Sequence, residues 1–175
     1  MENELEIEIK APISEPEEFE KKVRDMGGEY IGEEVQEDEY FNHPCRDFRY
    51  TDEALRLRKT GGSSIITYKG KRIDLETKTR MEIESRVNGD MRGILIGLGF
   101  SPVARIRKIR RRYMLEGVEI SIDSVEGLGT FVELETHGDY ERGKERLFEI
   151  ARKLSLEKFE RRSYLEMVVE GYGRF

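Results

Sequence analysis

The sequence predicts an α+β fold built on an antiparallel sheet with helices packed against it. Three features carry that expectation: segments that alternate charged and apolar residues, stretches with apolar residues at helical spacing between start and stop signals, and short glycine-containing turns. At 175 residues the chain fits one domain, 1–175, since ordinary domains hold roughly 100–200 residues.

From Glu4 to Lys10 the run ELEIEIK alternates without a break, which is the period of a strand with two unlike faces, Leu5, Ile7 and Ile9 forming the apolar one. After Pro12, the stretch SEPEEFEKKVRDMGG opens with Ser14 and Glu17 at capping-box spacing and carries Phe19, Val23 and Met26 at helical spacing. It stops at Gly27 and Gly28. Strands are expected near Gln36–Asn42, Ala54–Lys59, Ser64–Lys69 and Thr77–Val87, each bounded by Gly, Pro, Asn or Asp. A short helix over about Asp90–Leu98 would set Met91, Ile94, Leu95 and Leu98 on one side and end at Gly99. Ala104–Glu116 and Val118–Asp123 flank Gly117, and a turn over Glu126–Gly129 leads into Thr130–Thr136, an antiparallel meander. Beyond Asp139, Leu147, Phe148, Ile150, Ala151 and Leu154 predict a helix, and Tyr164, Leu165, Val168 and Val169 predict a last one.

Composition excludes several classes. Acidic residues outnumber basic ones by 37 to 31, a net charge of −6, which argues against a dedicated nucleic-acid binder. No apolar run approaches the ~18–20 residues of a membrane span, and the acidic start MENELEIEIK is unlike a secretory signal, so a cytoplasmic protein without a membrane partner is expected. A single cysteine, Cys45, can form neither an internal disulfide nor a thiolate metal cage. Abundant Glu, Lys and Arg with one Gln, Gln36, and no Trp follow the trend of thermophile proteins and equally fit an ordinary charged surface. The basic run Arg105–Arg112 sends neighbours to opposite faces and lacks interleaved aromatics, unlike a nucleic-acid patch. His43 and His137 lack a second His or Cys at metal spacing and are expected at turns or the surface. Gly127 and Gly129 read as hairpin glycines. Phe41, Phe48 and Tyr50 are expected in ordinary packing.

The charged faces of the strands are organised in blocks. Glu6, Glu8 and Lys10 share a face, as do Arg56 with Arg58, Arg80 with Glu82 and Glu84, Lys108 with Arg110 and Arg112, and Glu133 with Glu135. Such faces suit either a solvated outer surface or a sheet closed with its charges inward. In the second case alternate carboxylates ~6.6 Å apart repel by about 2.5 kcal/mol per pair at an effective dielectric of ~20. A hard divalent cation bound through oxygen, magnesium or manganese, would relieve them. Rows of Arg and Lys would oppose a polyanion such as a polyphosphate.

The segment Glu6-Ile7-Glu8-Ile9-Lys10 matches the ExExK signature of the CYTH superfamily, the triphosphate tunnel metalloenzymes, which includes class IV adenylyl cyclases and thiamine triphosphatases. It is followed in order by DEYFNHPCRDF, DEALRLR, TYKG, TRMEIE, RKIRRRY and SIDSVEGLGTFVELE. Across nearly the whole chain this resembles the class IV cyclase branch most. The resemblance implies a closed antiparallel β-barrel, the triphosphate tunnel, with helices packed outside and charges inside. It implies Glu6, Glu8, Glu133 and Glu135 as ligands of Mg2+ or Mn2+, and Lys10, Arg56, Arg58, Lys69, Lys108 and Arg110 as triphosphate-binding cations. Asp123 is a further acidic tunnel residue, and Arg80, with Glu82 and Glu84 on its face, a further substrate position. The implied activity is conversion of ATP to cyclic AMP and pyrophosphate, in a monomer or homodimer. Hydrolysis of inorganic, thiamine or nucleoside triphosphate uses the same parts, and a non-catalytic nucleotide or polyphosphate binder needs only the cradle. The general base is not identified by the pattern.

Overall fold

A computed structural model describes residues 5–73 and 77–172; Glu4, where the first alternation begins, lies outside them. Among the described residues the order is β1 (Leu5–Pro12), α1 (Pro16–Asp25), β2 (Glu29–Asn42), α2 (Phe48–Thr51), β3 (Ala54–Thr60), β4 (Ser63–Arg72) and β5 (Arg80–Val87). Then come α3 (Met91–Gly97), β6 (Ser101–Leu115), β7 (Val118–Val125), β8 (Gly129–His137), α4 (Tyr140–Lys153) and α5 (Tyr164–Tyr172). The strands close into an antiparallel barrel in the order β1-β5-β4-β3-β2-β6-β7-β8. Its seam is short, since β1 meets β5 only at Leu5↔Met81 and Glu6↔Arg80, whereas β1 pairs with β8 from Glu6↔His137 to Pro12↔Phe131.

The apolar alternation fixes which way the barrel faces. Ile7, Ile9 and Ala11 point outward beneath α1 and α4, where they join Phe19, Val23, Leu147 and Ile150 in the largest core cluster. Burying each large side chain is worth about 1.5–3 kcal/mol. A one-residue slip would exchange them for Glu6, Glu8 and Lys10, so the outer core forces those charges into the lumen. A second cluster, Phe41, Phe48, Leu55, Leu57 and Leu95, lies under α2 and α3.

Several expectations are corrected. The capping box at Ser14 does not form: Pro16 occupies the first turn of α1, Glu15 is the N-cap, and no side chain caps the helix. Proline's fixed φ starts the helix and moves its entry one residue past Ser14. In α3 only Leu95 is buried while Ile94 and Leu98 are 55% and 65% exposed, because Met91 and Leu95 supply the stripe that meets the sheet. β2 begins at Glu29 rather than near Gln36: it pairs with β6 along its whole length but with β3 only over Glu37–Phe41. The single-turn α2, capped by the Asp47 side chain, was not legible in the hydropathy pattern. The hairpin glycines are as expected: Glu116 and Gly117 both have positive φ, 51° and 80°, which suits a two-residue primed turn.

α5 departs from the outer helices. It packs on Tyr40, Ala54, Ile106, Val125 and Phe131 through Tyr164, Leu165 and Val168, and these strand residues share the inward-facing parity. One end of the lumen is therefore filled with apolar side chains, and the charged part lies beyond it. No described helix is long and apolar enough to cross a membrane.

Candidate functional site

The lumen holds a cavity of about 1320 Å³ lined by charged side chains from the barrel strands and by one face of α5. Its carboxylates fall into two groups. Glu6, Glu8 and Glu135 each offer an oxygen, and the three atoms lie within 4.8 Å of one another. Glu8 and Glu135 are cross-strand partners, so backbone pairing brings these two together. Burial pushes the Glu6 carboxyl up to about 8, with Glu135, Glu82 and Glu8 adding to it against the pull of Lys69. A cluster short of positive charge, made of carboxylate oxygens, fits a hard divalent cation.

Asp38, Asp123 and Glu133 are instead each held by cations. Asp38 accepts two hydrogen bonds from Arg58, at 2.7 and 2.8 Å, and against burial these hold it below the usual carboxylate range. Asp123 accepts from Lys108 at 2.8 Å, from Arg110 at 2.7 and 2.6 Å, and from the Tyr164 hydroxyl at 2.9 Å. Glu133, expected among the metal ligands, accepts from Arg110 and lies 3.6 Å from Lys78. Against burial, Lys78, Lys108 and Arg110 keep it well below the usual range.

The cations expected to bind triphosphate are distributed as follows. Arg56, Arg58, Lys69, Arg80, Lys108 and Arg110 all line the cavity. Arg56 donates to Thr67 at 3.0 Å and lies 3.6 Å from Glu84, while its Nε has no partner among the described residues. Lys69 donates to Glu82 and lies 3.8 Å from Glu6. Arg80 reaches the Gly70 carbonyl at 3.5 Å. Burial, with Arg110 alongside, draws the Lys108 ammonium down to about 8 against the pull of Asp123. Lys10 and Asp123 stand apart, since neither is on the cavity wall. Lys10 donates to the Arg162 carbonyl at 2.6 Å and sits 3.9 Å from the Tyr164 ring centre, so both are engaged by the start of α5.

Sequence reasoning missed several residues. Lys78 donates to Glu8 at 2.6 Å, and it shares the parity of Arg80, Glu82 and Glu84, so carrying that alternation two residues back would have found it. Gln36 and Asp38 lie on the inward parity of β2, a strand whose faces were not separated. His137, expected at the surface, is half exposed and stands 3.0 Å from Glu135 on the cavity wall. His43 is a turn residue, accepting from the Cys45 backbone at 3.0 Å. Phe41 and Phe48 are core, and Tyr50 is 82% exposed.

A closed eight-stranded barrel with an ExExK strand is matched by a family model, CYTH domain, over residues 4–164. The chain belongs to the CYTH family. A Methanocaldococcus jannaschii protein named "Putative adenylate cyclase MJ0240" is 43% identical over 171 residues, covering 93% of this chain and 98% of that protein. Among solved structures, the PH1819 protein of Pyrococcus horikoshii is 43% identical with a TM-score of 0.87, covering 95% of this CYTH chain and 99% of its own. At 17% identity and TM-score 0.66, the Hippeastrum protein HpAC1 shares the fold over 98% of this chain and 97% of its own, and is described as having a dominant triphosphatase activity.

Proposed function

We propose that this CYTH protein is a divalent-metal-dependent enzyme that converts ATP to cyclic AMP and pyrophosphate. One juxtaposition supports this: a single cavity contains a carboxylate cluster short of positive charge, Glu6, Glu8 and Glu135, together with the cationic rows of β3, β4 and β6. A Mg2+ or Mn2+ ion held by that cluster would neutralise charge on the phosphates. Arg56, Arg58, Lys69, Arg80, Lys108 and Arg110 then hold the triphosphate. Asp38, Asp123 and Glu133 keep the guanidiniums and Lys108 aimed into the lumen, and release of Lys10 from α5 would add another cation. Attack of the ribose 3′-oxygen on the α-phosphorus expels pyrophosphate, and fixed cations stabilise the charge that moves onto the leaving group. ATP as substrate is favoured by the 43% identical relative named as a cyclase.

A second reading is hydrolysis of a triphosphate in the same cradle, favoured by the triphosphatase activity described for HpAC1. Product identification separates the two, using ATP, thiamine triphosphate and tripolyphosphate with Mg2+ or Mn2+. Cyclic AMP and pyrophosphate from ATP are expected. Diphosphate plus orthophosphate would replace the cyclase reading by the hydrolase, and binding without turnover would leave a sensor.

A further inference from the structure

Gln36 faces the lumen from β2 and is only 3% exposed. Its amide nitrogen donates to Glu34 at 2.6 Å, which fixes the amide orientation because a carboxylate cannot donate to an amide oxygen. The Oε1 atom is then a buried acceptor without a partner among the described residues, an arrangement that costs stability unless something else fills it.

The surroundings say what would fill it. The Glu34 carboxylate also accepts from the Thr60 hydroxyl at 2.7 Å, and against burial these hydrogen bonds hold it below the usual carboxylate range. Of the two nearby guanidiniums, Arg58 bonds Asp38, and Arg112 lies 3.9 Å from Glu119 with its Nε lacking a partner among the described residues. Lys108, across the ladder from Gln36, turns its ammonium to Asp123 at 2.8 Å. Two acceptors side by side repel phosphate oxygens and call for a donor. A hydroxyl would bring its own lone pairs against Glu34, whereas an aromatic amine has two hydrogens and a delocalised lone pair.

The place in the ring agrees. β2 is four strands from β1 in either direction round the barrel, so Gln36 stands on the wall opposite the carboxylate cluster. A triphosphate held between them by the cationic rows would leave its organic end for β2.

We propose that Gln36, with Glu34, forms the subsite for the organic group of the substrate and selects a triphosphate whose heteroaromatic ring carries an exocyclic amine. This rests on the triphosphate reading above. Adenine and the aminopyrimidine of thiamine both have that chemistry.

The test measures calorimetric affinities, with Mg2+, of bis-methylene analogues that resist both cyclisation and hydrolysis. The ligands are analogues of ATP, purine riboside triphosphate (the same ring without the amine), thiamine triphosphate and tripolyphosphate. On the wild-type protein, loss of the ring amine should weaken binding about 3- to 10-fold, the scale of one hydrogen bond. Gln36→Leu should erase that difference while binding tripolyphosphate within about twofold of wild type. The better bound of the ATP and thiamine analogues identifies the source of the amine. Equal binding with and without the amine, or a Gln36→Leu loss shared by tripolyphosphate, would overturn the subsite and leave the triphosphate reading standing. No binding of any analogue, tripolyphosphate's included, would overturn both. The wild-type ligand comparison decides the matter even if the variant does not fold.

Discussion

The two walls of the lumen treat their carboxylates differently. On the β1 and β8 side, Glu6, Glu8 and Glu135 crowd together, with Lys69, Lys78 and the His137 imidazole as their neighbours. On the β2, β3, β6 and β7 side, Asp38 and Asp123 each take several hydrogen bonds from Arg or Lys. A carboxylate surrounded by donors is a fixture that orients cations. One surrounded by other carboxylates raises the energy of the empty site and lowers it again when a cation arrives. Equal residue types thus do opposite work according to their neighbours.

The largest test of that contrast is Asp123→Ala, which leaves Lys108 and Arg110 buried beside an empty position. A stability loss of about 3–5 kcal/mol in denaturant titration is expected. Glu6→Gln, on the other wall, should change metal-free stability by under about 1 kcal/mol, because burial and the neighbouring carboxylates already disfavour the Glu6 charge. Similar losses in both would erase the distinction between the walls.

Metal should separate them next. A divalent ion that binds only the native state at 100 times its dissociation constant stabilises by about 2.7 kcal/mol. Wild type and Asp38→Asn should both show that gain with Mn2+ in thermal melts, and Glu6→Gln and Glu135→Gln should lose most of it. An undiminished gain in Glu6→Gln would remove that residue from the ligand set.

For the cationic side, Arg56→Ala and Arg58→Ala should each weaken tripolyphosphate binding by about 1.5–3 kcal/mol, the loss of a charge-assisted contact. Unchanged affinity with a lowered melting temperature would make them structural ion pairs.

The smallest effect is in pH. Lys108 releases its proton at about 8 in the free protein, and a bound polyanion favours the charged form, which moves that value up. Above pH 8 binding therefore takes up a proton, and affinity falls as pH rises, by at most about 1.4 kcal/mol per unit. Metal-free ATP titrated in buffers of different ionisation enthalpy should show the uptake, and Lys108→Met should reduce it. Proton release at pH 8.5 in wild type would contradict the assignment.

Much of this was written in the chain. Strict alternation in ELEIEIK requires Glu6, Glu8 and Lys10 to share a face, and the helix patterns around Phe19, Val23, Leu147 and Ile150 supply what covers the other face. Position along a strand likewise determined that Arg56 and Arg58, or Lys108 and Arg110, act as rows. Pattern alone left open whether those rows met solvent or one another, because alternation is blind to closure. Register decided it: Glu8 opposite Glu135 and Lys10 opposite Glu133 are long-range pairings that no local window contains. Tertiary packing also turned Lys10 toward α5, handed Glu133 to Arg110 and left the Gln36 amide oxygen without a partner among the described residues. A strand's sequence determines which face a charge occupies, but the partner of a buried charge is chosen by whatever the closed barrel brings within hydrogen-bond reach, and there desolvation leaves few alternatives.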